Sequence, residues 1–438
     1  MNDLPTVVKN YSSISTGTMR KVLLSSIETT FRKMDPALVV ERFISEKAYK
    51  KHPEKNIYVL GFGKASLSMY EGLRKSAGTS IKKAHIVIPE GLDIHLESPE
   101  LSVHRGTHPK VSDSSLKAAK ESLEGISEAS EGDLLITLIS GGGSALFEYP
   151  EEWTTIGEIS QTADCLMANG ADISELNTIR VMMSRVKGGK LLNFLKPRTI
   201  WNLLISDVPG DDPSLIASGP LVYRDMDRRR VKEIEKKYSS DCHGLANISG
   251  RPYVSVSRDE IAERVDTHVI QKNSDFVNTF IETLTASGFP AVNIGNGLGE
   301  DVSTFSEWIA GKVRAIYRNE GKPFWFVGGG ETTSRIVGKG KGGRNCELAI
   351  RVMQRFHNEE FLFSSIGTDG MDGNSGAMGG ISDTYLKGQV NEEEIQKYLS
   401  NSDSFSLLKK YNSAIISGFT GTNVSDIFIG YYGGSIRG

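Results

Sequence analysis

Phe324-Trp-Phe-Val-Gly-Gly-Gly-Glu-Thr-Thr333 reads as a buried strand that stops in three glycines, followed by an acid and two hydroxyls. The chain repeats this design at Leu134-Leu-Ile-Thr-Leu-Ile-Ser-Gly-Gly-Gly-Ser144 and at Ile57-Tyr-Val-Leu-Gly-Phe-Gly-Lys-Ala-Ser66. Glycine has no Cβ, so such a turn lets backbone N–H groups converge on one point. Convergent N–H groups at a strand end suit a phosphate. Three such loops point to an enzyme that handles a polyphosphate.

Around these loops, strands and helices alternate. Helical spacing over 18–33 precedes a strand at 57–60 and a helix from 66 to about 76. Strands at 84–88 and 101–104 follow, then a helix to about 126 behind the capping residues Ser112-Asp-Ser-Ser115. The near-continuous apolar run at 134–139 fits a parallel sheet covered on both faces. Helices near 156–168 and 174–184 lead to a strand at 199–205. A polar stretch at 223–265 separates this half from a second alternation that runs from 267 to a last strand at 426–431. The expected fold is α/β: two doubly wound, mostly parallel α/β domains, 1–250 and 251–438, facing an interdomain cleft, with the last residues free to pack back on the first domain.

Composition narrows the function. The 438 residues are 38% hydrophobic and 24% charged, ordinary values for a folded soluble protein. Net charge is −3 without a long basic run, so nucleic acid is not expected as a partner. The cluster Arg228-Arg229-Arg230 reads as a solvated helix face. No membrane-length apolar run appears, and Met1–Pro5 is polar, without a secretory core. Cys165, Cys242 and Cys346 lie far apart in sequence, which argues for a reducing cytoplasm and against a disulfide framework or a thiolate zinc site.

Several motifs carry chemistry, each beside a plainer reading. Gly61-Phe-Gly63-Lys64-Ala-Ser66 is an incomplete dinucleotide fingerprint: Ser66 replaces the third glycine and Lys64 enters the loop. A lysine at a helix entry, where the dipole is already positive, is relieved by a bound anion; alternatively the loop is a tight turn with Lys64 in solvent. Ser140-Gly141-Gly142-Gly143-Ser144 is an anion or nucleotide contact, or a turn built for close packing. Lys187-Gly188-Gly189-Lys190, with Arg180 and Arg185, gathers charge suited to a polyphosphate or carboxylate, or forms a helix cap. Asp207-Val-Pro-Gly-Asp211-Asp212 collects carboxylates in a turn past a strand. Mg2+ takes one or two carboxylates and shares the rest with phosphate and water, which nominates Asp207 and Asp212. Gly338-Lys-Gly-Lys-Gly-Gly343-Arg344 reads as a moving loop that delivers Arg344, or as a solvated linker. Gly329, Gly330, Glu331, Thr332 and Asn423 are further phosphate contacts; Gly63, Ser66, Arg180 and Asp369 are nominated for the acceptor substrate. The P-loop, protein-kinase and nucleophile-elbow motifs are absent from the sequence.

Taken together these segments resemble the glycerate 2-kinase family, whose carboxyl-terminal domain is called MOFRL. The matching stretches are Gly61-Phe-Gly-Lys-Ala65, Leu138-Ile-Ser-Gly-Gly-Gly-Ser-Ala-Leu146, Asn177-Thr-Ile-Arg180 with Lys187-Gly-Gly-Lys190, Ser206-Asp-Val-Pro-Gly-Asp-Asp-Pro213 with Ile216-Ala-Ser-Gly-Pro220, Gly328-Gly-Gly-Glu-Thr-Thr333, Gly342-Gly-Arg-Asn345, Gly367-Thr-Asp-Gly370 and Gly421-Thr-Asn423. Cys346 departs from the pattern, which has glutamine there. The resemblance implies ATP-dependent phosphorylation of D-glycerate at its 2-hydroxyl, with Mg2+ or another divalent cation, and essential roles for Lys64 and Arg344. Lys64 and Arg344 are thus expected catalytic residues; Asp207 joins them from the residues themselves, as a metal holder, and either Asp207 or Asp369 is the carboxylate expected to orient the 2-hydroxyl. The expected partners are glycerate and ATP, with neither nucleic acid nor membrane and with room for a homodimer. Two rivals remain at this stage, an NAD(P)H-dependent hydroxypyruvate reductase and a non-enzymatic sugar-phosphate-binding domain.

Overall fold

The computed structural model describes residues 7–46, 56–94 and 96–435; the polar opening Met1–Pro5 lies outside them. The chain divides into two compact units, Pro36–Gln271 and Met1–Asp35 with Lys272–Gly438.

Among the described residues the first unit holds six strands: β1 (Ile57–Phe62), β2 (Ile81–Pro89), β3 (Leu101–Gly106), β4 (Leu134–Ile139), β5 (Thr199–Ile205) and β6 (Val265–Gln271). They lie in the order β3-β2-β1-β4-β5-β6, every pair parallel. All residues of β1 and β4 are buried, which is why both read as unbroken apolar runs. The helix Ser66–Ala77 leads from β1 to β2, and Asp113–Gly125, started by the Ser112–Ser115 capping box, leads from β3 to β4. The chain winds outward through β1, β2 and β3, then returns to place β4 beside β1. The direction of winding reverses between β1 and β4, and in open sheets ligands bind at the carboxyl ends flanking such a reversal.

The second unit holds β7 (Ala291–Leu298), β8 (Phe324–Gly330), β9 (Glu359–Gly367), β10 (Gly379–Asp383), β11 (Ala414–Ile415) and β12 (Asp426–Ser435), ordered β11-β10-β9-β12-β8-β7. Here, among the described residues, only β7 and β8 pair in parallel; β12 runs antiparallel between β8 and β9, and β10 and β11 add antiparallel edges. The mostly parallel expectation therefore fails for this sheet. Helices separate β7, β8 and β9, but a loop suffices to reach β10, and an antiparallel neighbour needs no crossover.

Three further differences have physical causes. The expected boundary at 250/251 lies inside the first unit, because β6 pairs along β5 from Ile200↔Val265 to Ile205↔Gln271. The opening helix Gly17–Lys33 belongs with the second unit, where Phe31 packs edge-on against Phe276 at 5.4 Å. Cys165 and Cys242, 77 residues apart in sequence, form a disulfide; the helix Ile156–Ala168 packs beside the turn His243–Leu245 and brings them together. The wide spacing of the cysteines in sequence therefore did not preclude a disulfide. Among the described residues no helix is long and apolar enough to cross a membrane.

Candidate active site

At the β1/β4 reversal the two glycine turns are stitched to each other. Lys64 N donates to Gly141 O at 2.9 Å, and Ala65 N donates to Ser140 Oγ at 2.9 Å. Ser66 is buried and donates to Gly63 O at 2.8 Å. Gly63 is required by close approach, since a Cβ there would lie 2.2 Å from Ser140 Oγ. Ser140, Gly63 and Ser66 therefore build the turns, and their polar atoms are engaged within the fold. Gly142 is left-handed (φ +83°), and a Cβ on it would meet His108 Cδ2 at 3.1 Å and Lys64 Cγ at 3.3 Å. The Lys64 and His108 side chains thus flank the bare backbone of Gly142. Gly143 opens a single helical turn, and Ser144 Oγ lies 3.0 Å from Ser218 Oγ.

Beside them lies a cavity of about 240 Å³ bounded by His108, Gly142, Ser144, Glu148 and Arg180. The expected cluster of cations splits here. Lys187 and Lys190 are both 1% exposed, paired with Glu148 and Glu151 respectively. Burial pushes both ammonium groups below their ordinary pKa, and the carboxylates oppose it. Breaking such a pair inside a protein is costly, so these lysines serve the fold. Gly188 N and Gly189 N are likewise bonded to Ser218 O and Gly219 O, at 3.0 and 2.8 Å. Arg180 differs. Among the described residues no carboxylate reaches it at ion-pair distance; burial pulls its pKa down, and Glu148 opposes this from farther away. It is a desolvated cation on a cavity wall.

Asp207 follows β5 at the same sheet edge and is half-buried, whereas Asp212 is exposed and accepts from Ser214 N at 2.9 Å. Among the described residues no three His, Cys, Asp or Glu side chains converge as a metal centre. Magnesium does not need such a cage when phosphates supply oxygens, so Asp207 fits the expected ion, while Asp212 is engaged in its own turn.

In the second unit the three glycines are not a loop after the strand. Gly328, Gly329 and Gly330 are the end of β8 itself, paired with Phe428, Ile427 and Asp426 of β12. A Cβ on Gly329 would lie 1.7 Å from Asn273 Oδ1, and Asn273 Nδ2 in turn donates to Val424 O and Asp426 O. The glycine run admits Asn273, which fixes where β12 begins. Glu331 and Thr332 follow; the Thr332 hydroxyl is buried, without a hydrogen-bond partner among the described residues.

Arg344 opens the helix Arg344–Arg355. Its Nε and Nη2 donate to Asp426 at 2.6 and 3.0 Å, and its Nη1 reaches Glu331 at 2.8 Å. Burial lowers the guanidinium pKa, but Asp426 and then Glu331 override it and raise it overall. Asp426 is fully buried and also receives Asn345 Nδ2 at 3.0 Å. Asp372, also buried, accepts Asn345 N and Cys346 N at 2.9 and 2.8 Å, capping the helix. The loop before Arg344 is tied down: Gly340 N bonds Asn401 O, Lys341 N bonds Asp403 and Gly342 N bonds Asn374. Its amides are spent on these partners, so it does not have the form of a loop that moves to deliver Arg344. A cavity of about 520 Å³ opens here, bounded by Glu331, Thr332, Gly343, Arg344, Asn374 and Ser404. Asp369 is half-buried past β9, and Asn423 is buried in the turn that enters β12.

The order of these loops also has counterparts in other proteins. The chain matches a domain of unknown function (DUF4147) over residues 22–248 and the MOFRL family over 324–426. It is 39% identical to a glycerate 2-kinase of Picrophilus torridus, across 97% of this chain and 99% of that protein. The chain belongs to the glycerate 2-kinase family. A crystal structure of glycerate kinase from Thermotoga maritima superposes with a TM-score of 0.81 at 27% identity, covering 94% of this chain and 99% of that one. A relative in Agrobacterium vitis that carries the provisional name of hydroxypyruvate reductase is 31% identical over 84% of this chain and 97% of its own length.

The departure from the glycerate 2-kinase pattern at Cys346 now has an explanation: the contact at the helix start is made by its backbone N–H to Asp372, with the thiol buried. Asp426 and His108 were missed as site residues. An acid heading the apolar run Ile427-Phe-Ile429 was a signal for the first; for the second there was only its place a few residues after a strand end.

Asp372 yields a pH prediction. Burial raises its carboxyl to about 6, against the amides of Asn345 and Cys346. A folded pKa above the unfolded one means that the folded state holds the proton more tightly, so the contribution to stability is present below about pH 4 and is lost as pH rises to about 6. Asp372→Asn is expected to flatten that part of the Tm–pH curve. An unchanged slope between pH 4 and 6 in the variant would show that Asp372 does not titrate there.

Proposed function

We propose that this chain transfers the γ-phosphoryl group of ATP to the 2-hydroxyl of D-glycerate, giving 2-phosphoglycerate and ADP. The observation that carries the reading is the small cavity at the β1/β4 reversal, with Lys64 at the adjoining loop and the desolvated Arg180 on its wall. A three-carbon hydroxy acid matches both its size and its charge. Arg180 takes the glycerate carboxylate; a charge-assisted hydrogen bond inside a protein is strong and directional. Lys64 and Arg344 neutralise the transferred phosphoryl group, since phosphoryl transfer demands positioning and charge stabilisation more than covalent chemistry. The cavity by Glu331, Thr332 and Arg344 takes donor phosphate, with the Thr332 hydroxyl, which has no hydrogen-bond partner among the described residues, available to it. Asp207 holds Mg2+, which supplies charge neutralisation on the phosphates when bound.

Incubation with D-glycerate and ATP–Mg2+, followed by phosphorus NMR, is expected to show 2-phosphoglycerate. A 3-phosphoglycerate product, or NADH consumption with hydroxypyruvate in place of phosphorylation, would overturn the reading. The strand order of the first unit is shared with dinucleotide-binding sheets, so the NADH assay is a real control. Arg180→Lys removes the planar fork and is expected to raise the KM for glycerate by about tenfold to a hundredfold with a smaller change in kcat.

A further inference from the structure

We infer that His108 is the base that receives the proton of the acceptor hydroxyl. Just past the end of β3, His108 lies on the wall of the small cavity, with Arg180 among the other lining residues. The imidazole edge bearing Nε2 faces Gly142: a Cβ there would lie 3.1 Å from Cδ2 and 3.5 Å from Nε2. Lys64 Cγ lies 3.3 Å from the same point. A side chain at 142 would crowd both the lysine and the imidazole, and the φ of +83° there also favours glycine. A substrate whose carboxylate is held by Arg180 then presents its α-hydroxyl to a proton acceptor from the loop after β3 and a phosphoryl-binding cation from the loop after β1, both beside Gly142. The other nearby acids are committed elsewhere: Glu148 pairs with Lys187, and Asp164 with Lys110 at 2.6 Å.

In the step, the hydroxyl O–H bond breaks and its proton passes to His108 Nε2. The 2-oxygen forms a bond to the γ-phosphorus, and the bond from that phosphorus to the bridging oxygen breaks with its electron pair leaving on ADP. The proton on His108 is released to solvent after product leaves. This inference rests on the placement of glycerate beside Arg180, which the Arg180→Lys KM measurement tests separately. A normal KM in that variant would remove the placement while leaving the His108 result to stand or fall by itself.

The test uses His108→Ala and His108→Gly in the full chain. Both are expected to lower kcat by about 10²-fold or more, with glycerate KM changed by less than about threefold. Free imidazole is expected to recover at least about tenfold of the lost kcat in one of the two, and His108→Asn, whose site is filled, is expected to show no rescue. Thermal unfolding serves as the fold control, because His108 is exposed. A kcat within about threefold of the parent, a loss carried by KM, or a kcat loss that imidazole does not touch in either variant would overturn the assignment.

Discussion

Arg344→Ala is expected to lower kcat by about 10³- to 10⁵-fold, the range by which an arginine stabilises the charge of a transferring phosphoryl group. The variant has a second consequence. Arg344 is the bidentate partner of Asp426, which is fully buried at the start of β12. Removing one member of a buried ion pair leaves the other uncompensated and typically destabilises by about 3–5 kcal/mol. Arg344→Ala alone should therefore lose both activity and Tm. Combining it with Asp426→Asn keeps the shape, removes the orphaned charge and is expected to recover much of the Tm but none of the activity. Arg344→Lys keeps a charge yet cannot span both Asp426 oxygens and Glu331, so it should sit nearer to alanine than to the parent. Recovery of turnover together with Tm in the Arg344→Ala, Asp426→Asn pair would reduce Arg344 to a structural residue.

Lys64→Ala should behave differently: kcat falls by about 10²- to 10³-fold, as when one preorganised donor to a developing charge is removed, while stability changes by about 0.5 kcal/mol or less. The reason is local. The backbone of Lys64 holds the turn through Gly141 O, and that bond survives truncation of the side chain. Steady-state kinetics with thermal unfolding on the same preparation separates the two. A large drop in Tm would show that the side chain, too, builds the β1/β4 junction.

Much of the first sheet was legible because parallel strands buried on both faces are apolar throughout, as in Leu134–Ile139. β6, Val-Asp-Thr-His-Val-Ile-Gln, is a half-exposed edge strand after a polar stretch, so it read as the start of a new domain. Glycine was legible as a signal but not in its use. At Gly61 and Gly329 it admits Ile86 and Asn273 into a tight space, and no local pattern separates that from an anion loop. The charges were hardest. Lys187 and Lys190 find Glu148 and Glu151 39 residues upstream, and Arg344 finds Asp426 82 residues downstream. A cation bound for an internal partner and one bound for a ligand look alike until the fold is known. Arg180, in the same run, is the one left without a partner at contact distance among the described residues.

The proposed mechanism has Lys64 and Arg344 act on one phosphoryl group. A double-mutant cycle in kcat/KM for ATP-dependent phosphorylation of glycerate tests it most directly, with Arg344 changed in the Asp426→Asn background. Residues that serve one transition state as a unit are strongly non-additive. The predicted result is that Lys64→Ala with Arg344→Ala is no more than about tenfold slower than the worse of the two alone. Losses that multiply in full would mean that the two side chains serve separate events, and would contradict the account.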